Sequence, residues 1–213
     1  MASTRNAHTG GVSPIATHPP SWSDPGYRIR PATMADSPGI RAIRNAAVRD
    51  SLAIWTQHEH SSTEAEDWLL PMVHRGTALV AVHGEGTDNS TGDSAVIGFA
   101  VASPWHHYEG YARTVEDSLY VAPAAQGRGL GGRLLAGLIE ASHRAGDRTM
   151  IAAIESGNTA SVHLHERHGF AVIGMIPQAG EKLGQVLDLM LMSRSLTGDH
   201  LHPDRPPEPL TAS

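Results

Sequence analysis

Between residues 27 and 196 the apolar positions switch repeatedly between strand-like and helix-like spacing. Tyr27 to Pro31 reads as a short strand, and Asp36 stands where it would cap a helix carrying Ile40, Ile43 and Ala47 on one face. Thr63-Glu64-Ala65-Glu66 has the spacing of a capping box, which predicts a second helix from there. Two strand-like runs follow, 78–82 and 95–101, joined by the polar, glycine-rich stretch 84–94 that suits a long hairpin loop. Residues 118–121 form the next strand, stopped by Pro123. Beyond it Leu134, Leu135, Leu138 and Ile139 share one side of a helix that Gly146 ends.

The flanks behave differently. Residues 1–26 lack apolar periodicity, and 197–213 carry four prolines, so neither stretch buries enough surface to offset its ordering entropy. One domain over 27–196 between two disordered tails is the expectation. No run of about eighteen apolar residues is present, and the first residues lack the apolar segment of a signal peptide, so the expected location is the cytoplasm, with no membrane partner.

Composition narrows the chemistry. The chain has no cysteine, which excludes disulfides, thiolate zinc sites and a cysteine nucleophile. A net charge of -6 argues against a nucleic-acid surface and leaves a small molecule as the expected partner. Of the 16 basic residues only Lys182 is a lysine.

The order strand, glycine-rich turn, helix carries the first functional signal. In Gln126-Gly127-Arg128-Gly129-Leu130-Gly131-Gly132 the glycines allow close approach of a ligand to the backbone, and the free N–H groups of the turn and helix start suit a pyrophosphate. A tight strand-to-helix connection would use the same glycines. A P-loop would need Gly-Lys-Ser/Thr where Gly131-Gly132-Arg133 stands, and a Rossmann turn belongs after the first strand with an acidic residue about 20 positions on.

Gln126-x-x-Gly129-x-Gly131 resembles the coenzyme A motif of GNAT acetyltransferases. Three further segments are similar to the phosphinothricin acetyltransferase branch of that family: Tyr111 to Val121, with Thr114-Val115-Glu116; Asn158 to Phe170, with Leu164-His165-Glu166; and Pro177 to Leu189, with Gly180, Lys182 and Asp188. The resemblance implies an α/β (α+β) GNAT fold, a mixed, twisted sheet of about seven strands flanked by helices, with acetyl-coenzyme A as co-substrate in a splay between the strand ending at Val121 and the strand Thr149 to Glu155. Leu119, Tyr120 and Val121 would then meet the pantetheine arm, and Gln126, Gly127, Arg128, Gly129, Leu130, Gly131 and Gly132 the pyrophosphate. Asn158 would both cap its helix and contact coenzyme A.

For catalysis the resemblance points to Glu116 as general base and to His165 as the acid that protonates the departing thiolate, although a histidine there would equally pack the helix on the sheet. His163, His165 and His168 do not share one helical face, so no metal is expected. Lys182 would hold an anionic group or tie its turn to Asp188. Tyr111 and Arg113 would engage a carboxylate or tetrahedral oxo group of the substrate. The chain departs from the branch in lacking an arginine shortly before Tyr111, where it has Trp105-His106-His107-Tyr108, and in placing Arg44 and Val186 where aromatics are usual. The expectation is therefore acetylation of a small amino-acid-like amine such as phosphinothricin or methionine sulfoximine, inefficient for these acids, with a less acidic amine preferred. A protein or peptide acetyltransferase would share the cofactor site but need an open groove, and a non-catalytic acyl-coenzyme A-binding module would lose the base and acid. The family is often homodimeric.

Overall fold

The computed structural model describes residues 23–24, 26–83 and 95–197. The loop 84–94 and all but the inner ends of the two tail segments lie outside the described residues. The elements run β1 (Ser23–Asp24), β2 (Tyr27–Pro31), α1 (Ser37–Asp50), α2 (Ser62–Arg75), β3 (Ala78–His83), β4 (Val96–Pro104), β5 (Thr114–Val121), α3 (Leu130–Arg144), β6 (Thr149–Glu155), α4 (Thr159–Arg167), β7 (Ala171–Lys182) and β8 (Gln185–Ser195). The described strands form one sheet in the order β1-β2-β3-β4-β5-β6-β8-β7, so the sheet has seven strands besides the two-residue β1 at its edge. Every pairing is antiparallel except β5 with β6. The expected mixed, helix-flanked sheet is thus present.

Each face of the sheet buries one amphipathic layer. On one side Leu130, Leu134, Leu135 and Leu138 of α3 pack on Leu79, Ala81, Ala100, Val115 and Met150; on the other Ile40 of α1 and Leu69 and Met72 of α2 cover Val80, Val82, Phe99 and Val101. Each buried leucine or isoleucine of these layers contributes about 1.5–3 kcal/mol of transfer free energy.

Local chemistry differs from expectation at two helix starts. Asp36 precedes α1, but its carboxylate does not cap the helix. It turns back to accept two 2.7 Å hydrogen bonds from Arg30 and one of 2.8 Å from the Thr33 N–H. Burial pushes this carboxyl's pKa up, but the Arg30 hydrogen bonds and charge, with Thr33, hold it below its ordinary value. The box before α2 is Ser61 with Glu64, two residues ahead of the one read at Thr63, because the Ser61 hydroxyl accepts from Glu64 N while Glu64 accepts from Ser61 N.

β7 and β8 meet at Leu183-Gly184, both with positive φ (51° and 74°), the two-residue turn that matches strand twist. Between Ile176 and Gly180 the ladder slips, and Gln178 (φ 52°) donates its N–H to Asp188 at 2.7 Å.

Candidate active site

The cleft follows from where β5 and β6 stop pairing. Their parallel ladder covers Thr114 to Glu116 against Thr149 to Ile151 and goes no further, although both strands continue for several residues. Ala122 N donates to Ile97 O on β4, so by the alternation of the ladder Asp117, Leu119 and Val121 direct their backbone groups toward β6. The opening is lined by residues 117–120 of β5, 152–155 of β6, Asn158, Ser161 and His165 of the α4 region, and Ala53 from the loop after α1. An extended chain with amide groups would complete the β5 edge there. Leu119 and Tyr120 line this opening, while the Val121 carbonyl accepts from the Gln126 side chain at 3.1 Å.

The glycine turn lies at the end of β5. Gly127 and Gly129 both have φ of +75°, a conformation that L side chains rarely adopt, and a Cβ on either would meet nothing within 4 Å. Their role is conformational and leaves the backbone bare. Gly129 immediately precedes α3, whose first N–H groups have no intrahelical acceptor. Gly131 and Gly132 instead lie against Leu164 of α4, and Gly132 also against His168 just after that helix. The turn thus meets the requirements of a phosphate cradle: bare backbone, free N–H groups and the positive end of a helix.

Strand alternation separates the two candidate proton-transfer groups. Tyr120 packs with the α1 and α2 layer, whereas Val115, Leu119 and Val121 pack with the α3 layer. Glu116 therefore belongs to the first face and Asp117 to the second. Glu116 is half-buried, and burial, followed by the charge of Asp117, raises its pKa above the ordinary carboxylate value. Tyr120 faces the same side, its hydroxyl pKa raised chiefly by burial. Arg44 of α1 lies over the Trp68 ring, 5.9 Å from its centroid, with a buried Nη1 that has no hydrogen-bond partner among the described residues.

On the opposite face His165 is buried, its ring edge-on to Phe170 at 4.9 Å. Its Nδ1 lies 2.8 Å from Ser161 O and its Nε2 3.1 Å from Asp117 Oδ2. Burial works against the charged ring, but the hydrogen bond and charge of Asp117, with the Ser161 carbonyl, raise its pKa above the ordinary histidine value. His165 thus packs the helix on the sheet, as one of the two readings of the sequence has it, and it also lines the cleft. Asn158 caps α4 by accepting from Ser161 N at 3.1 Å.

Three expected residues lie elsewhere. Lys182 is 3% exposed and donates from Nζ to the carbonyls of Ile54 and Ala47, not to Asp188. It ties the last turns of α1 and the loop after that helix to the end of β7. Trp55 of the same loop lies so close to Gly180 that a Cβ there would strike its ring. Tyr111 and Arg113 are exposed on the segment before β5, and neither lines the cleft. His106, His107, Tyr108 and Tyr111 form a stacked ledge there, with centroids 4.2–5.2 Å apart. Among the described residues no three His, Asp or Glu side chains converge as a metal site requires, and no helix is long and apolar enough to cross a membrane. Asp117 lines the cleft without being among the expected site residues; its signal in the sequence is its place directly after Glu116.

Comparison with known proteins agrees with this geometry. Residues 40–170 match the model of the acetyltransferase (GNAT) family. The chain is 40% identical over 168 residues to the L-methionine sulfoximine/L-methionine sulfone acetyltransferase of Pseudomonas paraeruginosa, covering 79% of this chain and 94% of that protein. The yncA protein of Salmonella typhimurium, solved with its cofactor acetyl-CoA, superposes with a TM-score of 0.73 at 38% identity, over 84% of this chain and 99% of that one. A phosphinothricin acetyltransferase of Sinorhizobium meliloti in complex with acetyl-CoA gives 0.70 at 31% identity, over 79% and 88%.

Proposed function

The chain belongs to the acetyltransferase (GNAT) family, and from that premise we propose that it transfers acetyl from acetyl-coenzyme A to the primary amine of a small amino-acid-like substrate, methionine sulfoximine and phosphinothricin among them. The observation that carries this reading is the extent of the likeness, 40% identity across 94% of a methionine sulfoximine acetyltransferase. The splayed β5–β6 edge and the bare Gly127 to Gly129 backbone suit the co-substrate that the solved relatives hold.

In this reading coenzyme A supplies the activated acetyl group and the thiolate leaving group. The chain supplies the rest. The turn 127–132 holds the pyrophosphate, and the β5 edge at Leu119 and Val121 aligns the arm. Glu116 accepts a proton from the substrate ammonium, a task its half-buried setting favours because a base with raised proton affinity works closer to neutral pH. His165 returns a proton to sulfur from the other face of β5. Arg44 adds a cation on the Glu116 side, which supports oxo-acids as substrates despite the missing arginine before Tyr111. A homodimer is supported by β7 at the edge of the sheet, where Val172, Ile173, Met175 and Ile176 are each about half exposed.

The test is thiol release from acetyl-coenzyme A across amino acids, uncharged amines and peptides, in wild type and Glu116→Gln. We expect amino-acid-like amines to give the highest kcat/KM, and the variant to lose about 10²- to 10⁴-fold in kcat. Preference for peptides, or an unchanged kcat in the variant, would sink the reading.

A further inference from the structure

Asp117 touches the candidate acid, adjoins the candidate base in sequence, and has no part in the reading above. Its side chain and that of His165 are each 4% exposed, so water does not screen their contact. Both ring nitrogens of His165 face oxygens that accept: the Ser161 carbonyl at Nδ1 and the Asp117 carboxylate at Nε2. A neutral imidazole has one N–H and would turn a lone pair toward one of these oxygens. The Ser161 carbonyl at 2.8 Å, nearer Nδ1 than the Ser161 hydroxyl at 3.5 Å, and the Asp117 carboxylate at Nε2 together favour the doubly protonated ring. Asp117 Oδ1 is buried and has no hydrogen-bond partner among the described residues, on a side chain that lines the cleft.

Building on the functional reading above, we propose that Asp117 is a positioning residue shared by both proton-transfer groups: its carboxylate fixes His165 from one face of β5 while its charge bears on Glu116, the preceding residue, on the other.

The remaining charged groups around the pair do not take over this role. On β6 Glu155 lines the cleft but accepts from Gly157 N, on β8 Arg194 donates to the His168 carbonyl, and just after α4 His168 lies against the Leu164 carbonyl. On the Glu116 face the neighbouring groups are Arg44 of α1 and Tyr120 of β5. In the transfer, the amine nitrogen bonds to the acetyl carbon and the carbon–sulfur bond breaks, its electron pair going to sulfur. The proton that sulfur takes up leaves the His165–Asp117 pair. The ammonium loses two protons: one passes through Glu116 to solvent, and the other restores the His165–Asp117 pair. A negative charge beside both groups strengthens their hold on protons, so the acid stays loaded to a higher pH while the base requires a higher pH to become free.

The experiment is the pH profile of kcat for wild type, Asp117→Asn and His165→Gln, with an imidazole NMR titration of His165 in wild type. Asp117→Asn keeps the shape but removes the charge, so both limbs of its profile should move to lower pH, the alkaline limb by about one unit or more. In wild type the His165 ring should read as doubly protonated at pH 7. A single neutral tautomer at pH 7, or an Asp117→Asn profile that superimposes on wild type, overturns the proposal, and the titration decides even if the variant folds poorly. His165→Gln separates the two layers: wild-type turnover there defeats the acid role in the functional reading. Loss of turnover there with no Asp117→Asn shift defeats only the role of Asp117.

Discussion

Replacing Lys182 with methionine tests whether this residue holds the loop after α1. The substitution keeps the unbranched stem but deletes the ammonium, leaving the Ile54 and Ala47 carbonyls without their donor. Hydrogen bonds to a charged group contribute about 1.5–3 kcal/mol each. The ammonium is also desolvated, which lowers its pKa, and relieving that cost offsets part of the loss. A net destabilisation of about 1–3 kcal/mol corresponds to a melting temperature lower by roughly 3–10 °C for a domain of this size. The effect should reach catalysis, because Ala53 of this loop lines the cleft and Trp55 rests on Gly180. Calorimetry should show the lower melting temperature, and steady-state kinetics a raised KM for the amine. If neither changes, Lys182 does not organise the loop.

Two further outcomes follow from local geometry. Gly129→Leu forces a side chain into a φ of +75° ahead of α3, a strain of about 1–2 kcal/mol, and should weaken coenzyme A binding at least tenfold in calorimetry on a folded variant. Asp36→Asn removes the charged partner of Arg30 and should cost about 1.5–3 kcal/mol at pH 7 in denaturant unfolding. Because the folded Asp36 pKa is lowered, its stabilisation is present above the ordinary carboxylate range and disappears as pH falls through the folded value, so the gap between variant and wild type should close below about pH 4.

The parts of the fold legible in the sequence were those fixed by local rules. The spacing of Leu134, Leu135 and Leu138 gave α3, and the glycines after Pro123 gave the strand-turn-helix order, because periodicity and positive φ act within a few residues. Asp36 and Thr63 were misread because several Ser, Thr and Asp residues compete to satisfy the same helix start, and Arg30 decides the contest for Asp36 from β2. The fate of Lys182 depends on contacts 128 and 135 residues away, which spacing cannot show. The Asp117–His165 pair spans 48 residues and exists only once β5 and α4 meet. Family resemblance singled out Glu116 and His165, but that they lie on opposite sides of β5 follows only from the strand register and from where α4 packs.

The early end of the β5–β6 ladder reaches beyond the site itself. Past Glu116 and Ile151 the two strands at the middle of the sheet are not zipped to each other, so the sheet is held there from its outer halves, β4 on one side and β8 on the other. A co-substrate that bridges this seam acts as mortar between the halves, and any molecule that binds only the folded chain stabilises it by RT ln(1 + [L]/Kd), about 2.7 kcal/mol at a hundredfold excess over Kd. The stability of the folded chain would then rise with the concentration of acetyl-coenzyme A.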